Sequence, residues 1–310
     1  AATVDAVLTG AGGFRMGPFA LMDLIGHDVN EAVTRQVWSA LGHDPRFEPS
    51  LAQRALVEGG WLGRKSGRGA YDHSKDGPAQ EATPAPPSPP PAGVIEHGES
   101  GLGALFERAG VPVTAGEGAG GSASGAAGGS AVVAGAVELP GGGRLIRCDG
   151  TLATEHAARL GAPVVVVDRT LDDAAATAVA VAASDGCPPA ALAEAVGLLQ
   201  AAGLAVHVID DTPGLIVTRT VAMLVNVAVD ALARGVADAA DIDAAMRLGT
   251  NYPLGPLAWG DRWGAGAVLA ILSNLQATYG DGRYRPSPLL RRRALAGAPL
   301  AAPSTKEDAR

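Results

Sequence analysis

Several short stretches of the 310-residue sequence carry residue types able to do chemistry. In VIEHGESGLGALFERAG, residues 94–110, Gly98, Gly101 and Gly103 separate an apolar run from a helical pattern. In that order a glycine turn can offer backbone N–H groups and a helix N-terminus to a pyrophosphate. Ser100 stands where the second glycine of the dinucleotide fingerprint belongs, and the third glycine comes one residue early, so the turn reads as vestigial rather than as an NAD site. Arg64, Lys65, Ser66 and Arg68 cluster among glycines in RKSGRG, where cations could meet a phosphate; the competing reading is a basic turn that closes a domain. Asp210 and Asp211 could form a carboxylate pair for acid–base work, but an Asp before Thr-Pro-Gly more commonly ends a strand and caps the helix that follows.

The remaining candidates are weaker. His27, His43, His73, His97, His156 and His207 are scattered, and none has a sequence neighbour that makes it a general base. Asp23 and Asp261 sit at equivalent places before short helices and read as caps. Cys148 and Cys187 form no C-x-x-C pair and no histidine spacing suggests zinc, so no metal is expected.

The elements that must position these residues are written twice. Asp5, Gly17, Pro18, Asp23 and Gly26 recur as Asp243, Gly255, Pro256, Asp261 and Gly264, all at an offset of 238. The match resumes one residue out of register, with Arg46, Phe47, Pro49 and Ser50 facing Arg283, Tyr284, Pro286 and Ser287. This is a duplicated domain, because two copies so far apart do not make a short solenoid repeat.

Residues 1–76 read as helical: apolar positions from Ile25 to Leu41 follow a 3.6-residue period, and Pro49-Ser50 opens a shorter helix that stops at Gly59-Gly60. Residues 77–93, with seven prolines, are expected to form an extended spacer and the clearest boundary. Residues 94–211 alternate strands and helices; 162–168, 177–184 and 204–210 read as buried strands, the first as parallel, with a crossover helix over 188–202. Residues 115–130 are of low complexity and read as a disordered loop. Residues 212–301 form the second helical copy, followed by a tail, 302–310.

Composition narrows the function. A net charge of −8 argues against a nucleic-acid footprint, which needs clustered cations. The long apolar pattern from Leu215 to Arg234 is interrupted by Arg219, Asp230 and Arg234, so it reads as a core helix and no membrane span is expected. Two cysteines and no basic-then-apolar leader point to a reduced, cytoplasmic chain. The second copy has a long helical pattern ahead of its matching point and the first has none, so the first copy is expected to be N-terminally truncated.

The run from Asp210 to Asp261, DDTPGLIVTRTV through PLGPLAWGD, resembles the C-terminal domain of 3-hydroxyacyl-CoA dehydrogenases, and so do GGFRMGPFALMDLIGHDVN and LGRKSGRGAYD in the first copy. The tandem arrangement is similar to a bacterial two-copy form linked to 3-hydroxybutyryl- or 3-hydroxyadipyl-CoA oxidation in aromatic-acid breakdown. The resemblance implies two helical domains like the C-terminal domain of 6-phosphogluconate dehydrogenase, flanking a degenerate Rossmann-like α/β domain. It implies hydride transfer from C3 of a 3-hydroxyacyl thioester to NAD, with acyl-CoA as substrate and the turn at Arg64, Lys65, Ser66 and Arg68 as its candidate contact.

In that family a His–Glu pair and a Ser belong to a Rossmann domain ahead of the first helical copy. An Asn at the start of the helical domain completes the site; here Thr218 stands in its place, and threonine cannot offer an amide's paired donor and acceptor. The expectation is therefore that this chain holds no catalytic residue and binds no cofactor by itself. The two copies are expected to pair as an intrachain pseudo-dimer. A non-catalytic scaffold, or a dehydrogenase of free β-hydroxy acids, are the competing readings.

Overall fold

A computed structural model describes residues 1–74, 80–116 and 135–301 of the chain. It divides into two compact units, one of Ala1–Thr9, Gly13–Ala82 and Thr220–Arg310, the other of Gly10–Gly12 and Thr83–Arg219.

The second unit is an α/β layer around a seven-stranded sheet. Its strands are β1 (Val94–His97), β2 (Val113–Ala115), β3 (Ala136–Glu138), β4 (Arg144–Arg147), β5 (Val164–Val167), β6 (Ala178–Ala183) and β7 (Ala205–Val208), in the order β2-β1-β3-β4-β5-β6-β7. The pairs β1/β2, β4/β5 and β6/β7 are parallel and the others antiparallel. The first of the three buried strands, β5, is parallel to β4 as read, while β5 and β6, connected through residues 168–177, run antiparallel to each other. Val165 and Val167 of β5 join a core with Leu145, Val181 and Leu198, while Val164 and Val166 face a second core with Ile146, Ala182 and Leu215. That alternation is the two-residue period of a strand buried on both faces. Each fully buried valine contributes about 1.5–3 kcal/mol.

The helices of this unit in chain order are α5 (Gly103–Arg108), α6 (Ala153–Leu160) and α7 (Pro189–Ala201), the last being the expected crossover. The proline segment is extended but pinned rather than free. Ala85 N–H donates to Val206 O at 2.7 Å, and Gln200 Nε2 donates to the Ala85 and Pro86 carbonyls at 3.1 Å. Prolines supply no N–H for a backbone ladder, and the Gln200 side chain takes up two of the segment's carbonyls. Most of the low-complexity loop and the tail lie outside the described residues.

The other unit contains α1 (Ala2–Gly10, its last residue crossing the boundary), α2 (Pro18–Ile25), α3 (His27–Ala40), α4 (Leu51–Glu58), most of α8 (Val217–Ala233), α9 (Ala239–Thr250), α10 (Pro256–Trp263), α11 (Ala265–Tyr279) and α12 (Pro288–Leu295). The helical period across Ile25–Leu41 is broken at Gly26, where φ is 105°. Among the described residues no helix is long and apolar enough to cross a membrane.

Two carboxylates explain why the repeated stretch is written as it is. Asp5 accepts from the Phe19 and Ala20 N–H groups at 2.9 and 2.8 Å, and Asp243 accepts from Leu257 and Ala258 at 2.8 and 2.9 Å. Each caps a helix from a distance, and proline at the first helical position sacrifices no hydrogen bond. The carboxyl groups lie so close to Gly17 and Gly255 that a Cβ at either glycine would overlap them. Asp23 and Asp261 likewise share a role, although they sit near the ends of α2 and α10 and cap no following helix. Asp23 accepts from Ala70 and Tyr71 N–H at 2.8 and 2.9 Å; Asp261 accepts from Leu300 and Ala301 at 2.5 and 3.3 Å.

The copies touch through equivalent positions. Phe14 and Tyr252, 238 residues apart, meet edge to face with ring centroids 5.4 Å apart. Arg46, with its side chain 2 % exposed, bridges Asp44 of its own copy and Asp230 of the other. Arg283, the counterpart of Arg46, reaches back to Glu48 at 3.0 Å.

Candidate functional site

Parallel pairing of β4 and β5 brings Cys148-Asp149 and Asp168-Arg169 side by side at the strand ends, with Cys148 N–H donating to Val167 O at 2.8 Å. Asp168 accepts from the N–H groups of Ile216, Val217 and Thr218 at 3.0, 2.7 and 2.9 Å, and from Thr218 Oγ1 at 2.7 Å. It thus caps the start of α8, where the helix dipole also favours negative charge. Burial pushes the Asp168 carboxyl above its usual range, while these donors favour its charged form. Burial also pushes the Cys148 thiol up to about 12, which removes it as a nucleophile.

Thr218 is fully buried, and its hydroxyl also accepts from Arg169 N–H at 3.2 Å. Arg147 donates to Asp173 and to the Gly101 carbonyl, each at 2.7 Å. The cavity beside them, about 10 Å³ and lined by Leu102, Arg147, Asp168, Thr170 and Asp173, is at the lower limit for one water and far too small for a substrate.

The other candidates fall elsewhere. At the glycine turn, β1 and α5 have the expected order, but Glu96 occupies the helix start: its carboxylate accepts from Ser100 Oγ and, at 3.3 Å, from Gly103 N–H. Asp211 caps a helix other than the one following it, accepting from Ala153 and Thr154 N–H of α6 at 2.8 Å. These two helix starts therefore hold the protein's own carboxylates in the position where a Rossmann turn receives phosphate.

Arg64, Lys65 and Ser66 form a tight turn, closed by Gly63 and Arg68. Lys65 Nζ lies 2.5 Å from Asp28, Ser66 Oγ accepts from Leu62 N–H, and Arg68 stacks over the Trp61 ring at 3.8 Å. The turn wraps Asp23 so closely that Gly63, at φ 94°, could carry no side chain. Arg64 is exposed.

Four histidines have carboxylate partners that sequence reasoning did not supply. His27 and His73 lie 2.8 and 2.7 Å from Asp23, His97 2.8 Å from Glu138, and His156 3.1 Å from Asp149. Burial raises the Asp23 carboxyl, but Ala70 N–H, His73, Tyr71 N–H and His27 together hold it below its usual value. His27 and His156 are 1 % exposed, so neither can reach a substrate as placed. Asp168 was also missed; the available signal was an acid directly after the four valines of β5, where a strand end can meet a helix start.

A mixed, Rossmann-like sheet and a duplicated helical domain thus make up the chain. The chain belongs to the 3-hydroxyacyl-CoA dehydrogenase family: residues 1–73 and 214–302 each match its C-terminal domain, and residues 145–213 match the 3-hydroxybutyryl-CoA dehydrogenase reduced Rossmann-fold domain. It is 40 % identical over 292 residues to 3-hydroxyadipyl-CoA dehydrogenase of Escherichia coli, covering 94 % of this chain and 53 % of that protein. It is 45 % identical over 82 residues to 3-hydroxybutyryl-CoA dehydrogenase of Clostridioides difficile, covering 26 % of this chain and 29 % of that one. A crystal structure of 3-hydroxybutyryl-CoA dehydrogenase from Escherichia coli K12 superposes with a TM-score of 0.78 at 40 % identity, covering 96 % of this chain and 55 % of that chain. The chain thus spans about half the length of these Escherichia coli relatives.

One expectation is corrected by these matches. The chain was expected to hold no cofactor of its own, on the broken glycine spacing and an absent nucleotide domain; the match over residues 145–213 is to a reduced Rossmann-fold domain of this family, so NAD binding is expected of it. The weak signal has a physical reason, because the matched region starts at β4 and contains no glycine fingerprint. The turns at Glu96 and Asp211 do not fit a pyrophosphate as they stand, because a carboxylate already accepts the N–H groups at each helix start.

Proposed function

We propose that the protein takes part in NAD-dependent oxidation of a 3-hydroxyacyl-CoA thioester at C3, in fatty-acid or aromatic-acid catabolism. The observation that carries this reading is the order of domains, helical copy, reduced Rossmann-fold domain, helical copy, within a 94 % alignment to a named 3-hydroxyadipyl-CoA dehydrogenase. The accompanying domain assignment is 1–76, 77–93, 94–211 and 212–301. The helical copies supply the acyl-CoA-binding surface, and the turn at Arg64–Arg68 contributes exposed Arg64 and the Arg68–Trp61 stack to the phosphates and adenine of CoA.

Thr218 acts in this reading as a positioning residue that secures Asp168 and the start of α8, not as a catalytic one. The copies associate as an intrachain pseudo-dimer, since a two-fold contact is self-complementary and equivalent residues such as Phe14 and Tyr252 then meet at its axis. The test is NADH formation from a 3-hydroxyacyl-CoA, with the Arg64→Ala, Arg68→Ala double variant alongside. The reading expects KM to rise about tenfold with kcat little changed, the mark of lost ground-state binding; an unchanged KM would remove the turn from the site.

A further inference from the structure

The proline spacer lies on the α/β unit with a period of three. From Thr83 to Ala92, Ala85, Ser88 and Pro91 are half-buried and the residues around them are exposed. Three residues per turn is the repeat of a polyproline II helix, which makes no hydrogen bonds of its own and leaves its carbonyls and N–H groups to be read from outside. Pro84, Pro86, Pro87, Pro89 and Pro90 are exposed, so they set the backbone conformation rather than fill a pocket.

The spacer is read by the free edge of the sheet and the helix beside it. β7 is the last strand in the sheet order, and its Val206 carbonyl accepts from Ala85 N–H at 2.7 Å. The ring of His207, 4 % exposed, donates to the Thr83 carbonyl. On α7, Gln200 uses both ends of its amide: Oε1 accepts from Ser88 N–H at 2.8 Å, and Nε2 donates to the Ala85 and Pro86 carbonyls. A Cβ at Gly197 would stand 2.3 Å from the Pro89 carbonyl oxygen. Glycine inside a helix weakens it relative to alanine, and here it opens a notch for the spacer backbone. These contacts select an extended backbone and a small residue at the inward places.

We propose that the α7–β7 surface is a recognition site for a polyproline II chain with a small residue at its inward places, and that the protein's own spacer is its ligand. The site is self-occupied: a proline-rich segment of another protein enters it only by displacing residues 83–92. A proline chain is ordered before it docks, which lowers the entropy lost on binding. The inference is independent of the proposed activity, since it rests on the α/β unit alone.

The test uses a fluorescent synthetic peptide of residues 81–92 as probe, followed by anisotropy, with the full chain in two forms: the parent, and one whose residues 83–92 are replaced by a Gly-Ser repeat of equal length. Saturable binding to the replaced form is expected, with at least about tenfold weaker binding to the parent, whose site is filled. Gln200→Ala in the replaced form weakens binding at least about tenfold, as does Gly197→Ala, which favours α7 as a helix. Ala85→Pro in the peptide keeps the polyproline conformation, deletes the N–H donor and weakens binding similarly. Circular dichroism checks the fold of each form. Amide hydrogen exchange reads the unaltered chain: Ala85 and Ser88 N–H exchange at least about tenfold more slowly than in the free peptide, and Gln200→Ala removes the protection of Ser88. Absence of saturable binding, binding indifferent to both Gln200→Ala and Gly197→Ala, equal affinity for the two forms, or exchange at the free-peptide rate overturns the proposal.

Discussion

Phe14 and Tyr252 occupy the same place in the two copies and meet each other, their rings 5.4 Å apart and nearly perpendicular. Contact between equivalent residues is what an approximate two-fold axis produces, and an arbitrary packing of two domains produces it only by accident. In a double-mutant cycle, Phe14→Ala and Tyr252→Ala are expected to couple by about 0.5–1.5 kcal/mol in urea denaturation. Additive losses would mean the ring contact contributes nothing specific.

Acid should loosen the same seam. Hydrogen bonds from Arg46 hold the Asp44 carboxyl at about 2, below its ordinary 3.8. Its folded value is depressed, so its stabilisation is present above pH about 4 and is lost as pH falls toward 2, a swing of about 2 kcal/mol. Melting temperature measured from pH 5 to 2 should fall less steeply in Asp44→Asn than in the parent. Equal slopes would place the acid sensitivity elsewhere.

Thr218→Ala should separate positioning from catalysis. Removing the hydroxyl takes one of five donors from buried Asp168, a cost of about 1–2 kcal/mol to unfolding. Turnover should stay within about threefold, since a group outside the transition state contributes little to its stabilisation. A hundredfold fall in kcat without loss of fold would make Thr218 part of the chemistry.

Removing either long-range cap should reveal the duplication as an energetic one. Asp5→Ala and Asp243→Ala each strip two N–H groups of a helix start and are expected to cost about 1–2 kcal/mol apiece. Chemical denaturation that finds a large loss at one site and none at the other would show that the equivalent geometry is not equivalent in energy.

Much of this was legible in the sequence because it depends on local rules. Pro49-Ser50 before α4, the crossover α7 and the long α8 follow from period and punctuation, and the offset of 238 exposed the repeat before any coordinates. Short strands were not legible: β2, β3 and β4 span three or four residues among glycines and prolines, too few for a period. The antiparallel pairing of β5 with β6 is decided across the sheet, which strand composition does not encode. Long-range caps escaped for a similar reason. Asp211 and Asp168 each cap a helix that their own sequence neighbourhood does not name, and Asp23 joins residues fifty positions apart. The period along α3 was legible, but the exposure of Val29, Val33 and Val37 was not, because periodicity reports amphipathicity and is silent on what covers a face.

The central claim concerns the thioester substrate. It is tested most directly by comparing initial rates of NADH formation, at saturating NAD, from a 3-hydroxyacyl-CoA and from the corresponding free 3-hydroxy acid. The account predicts turnover of the thioester and at least about a hundredfold lower kcat/KM for the free acid, the loss expected when remote binding groups are removed. Equal rates with the free acid, or no NADH from either compound, would contradict it.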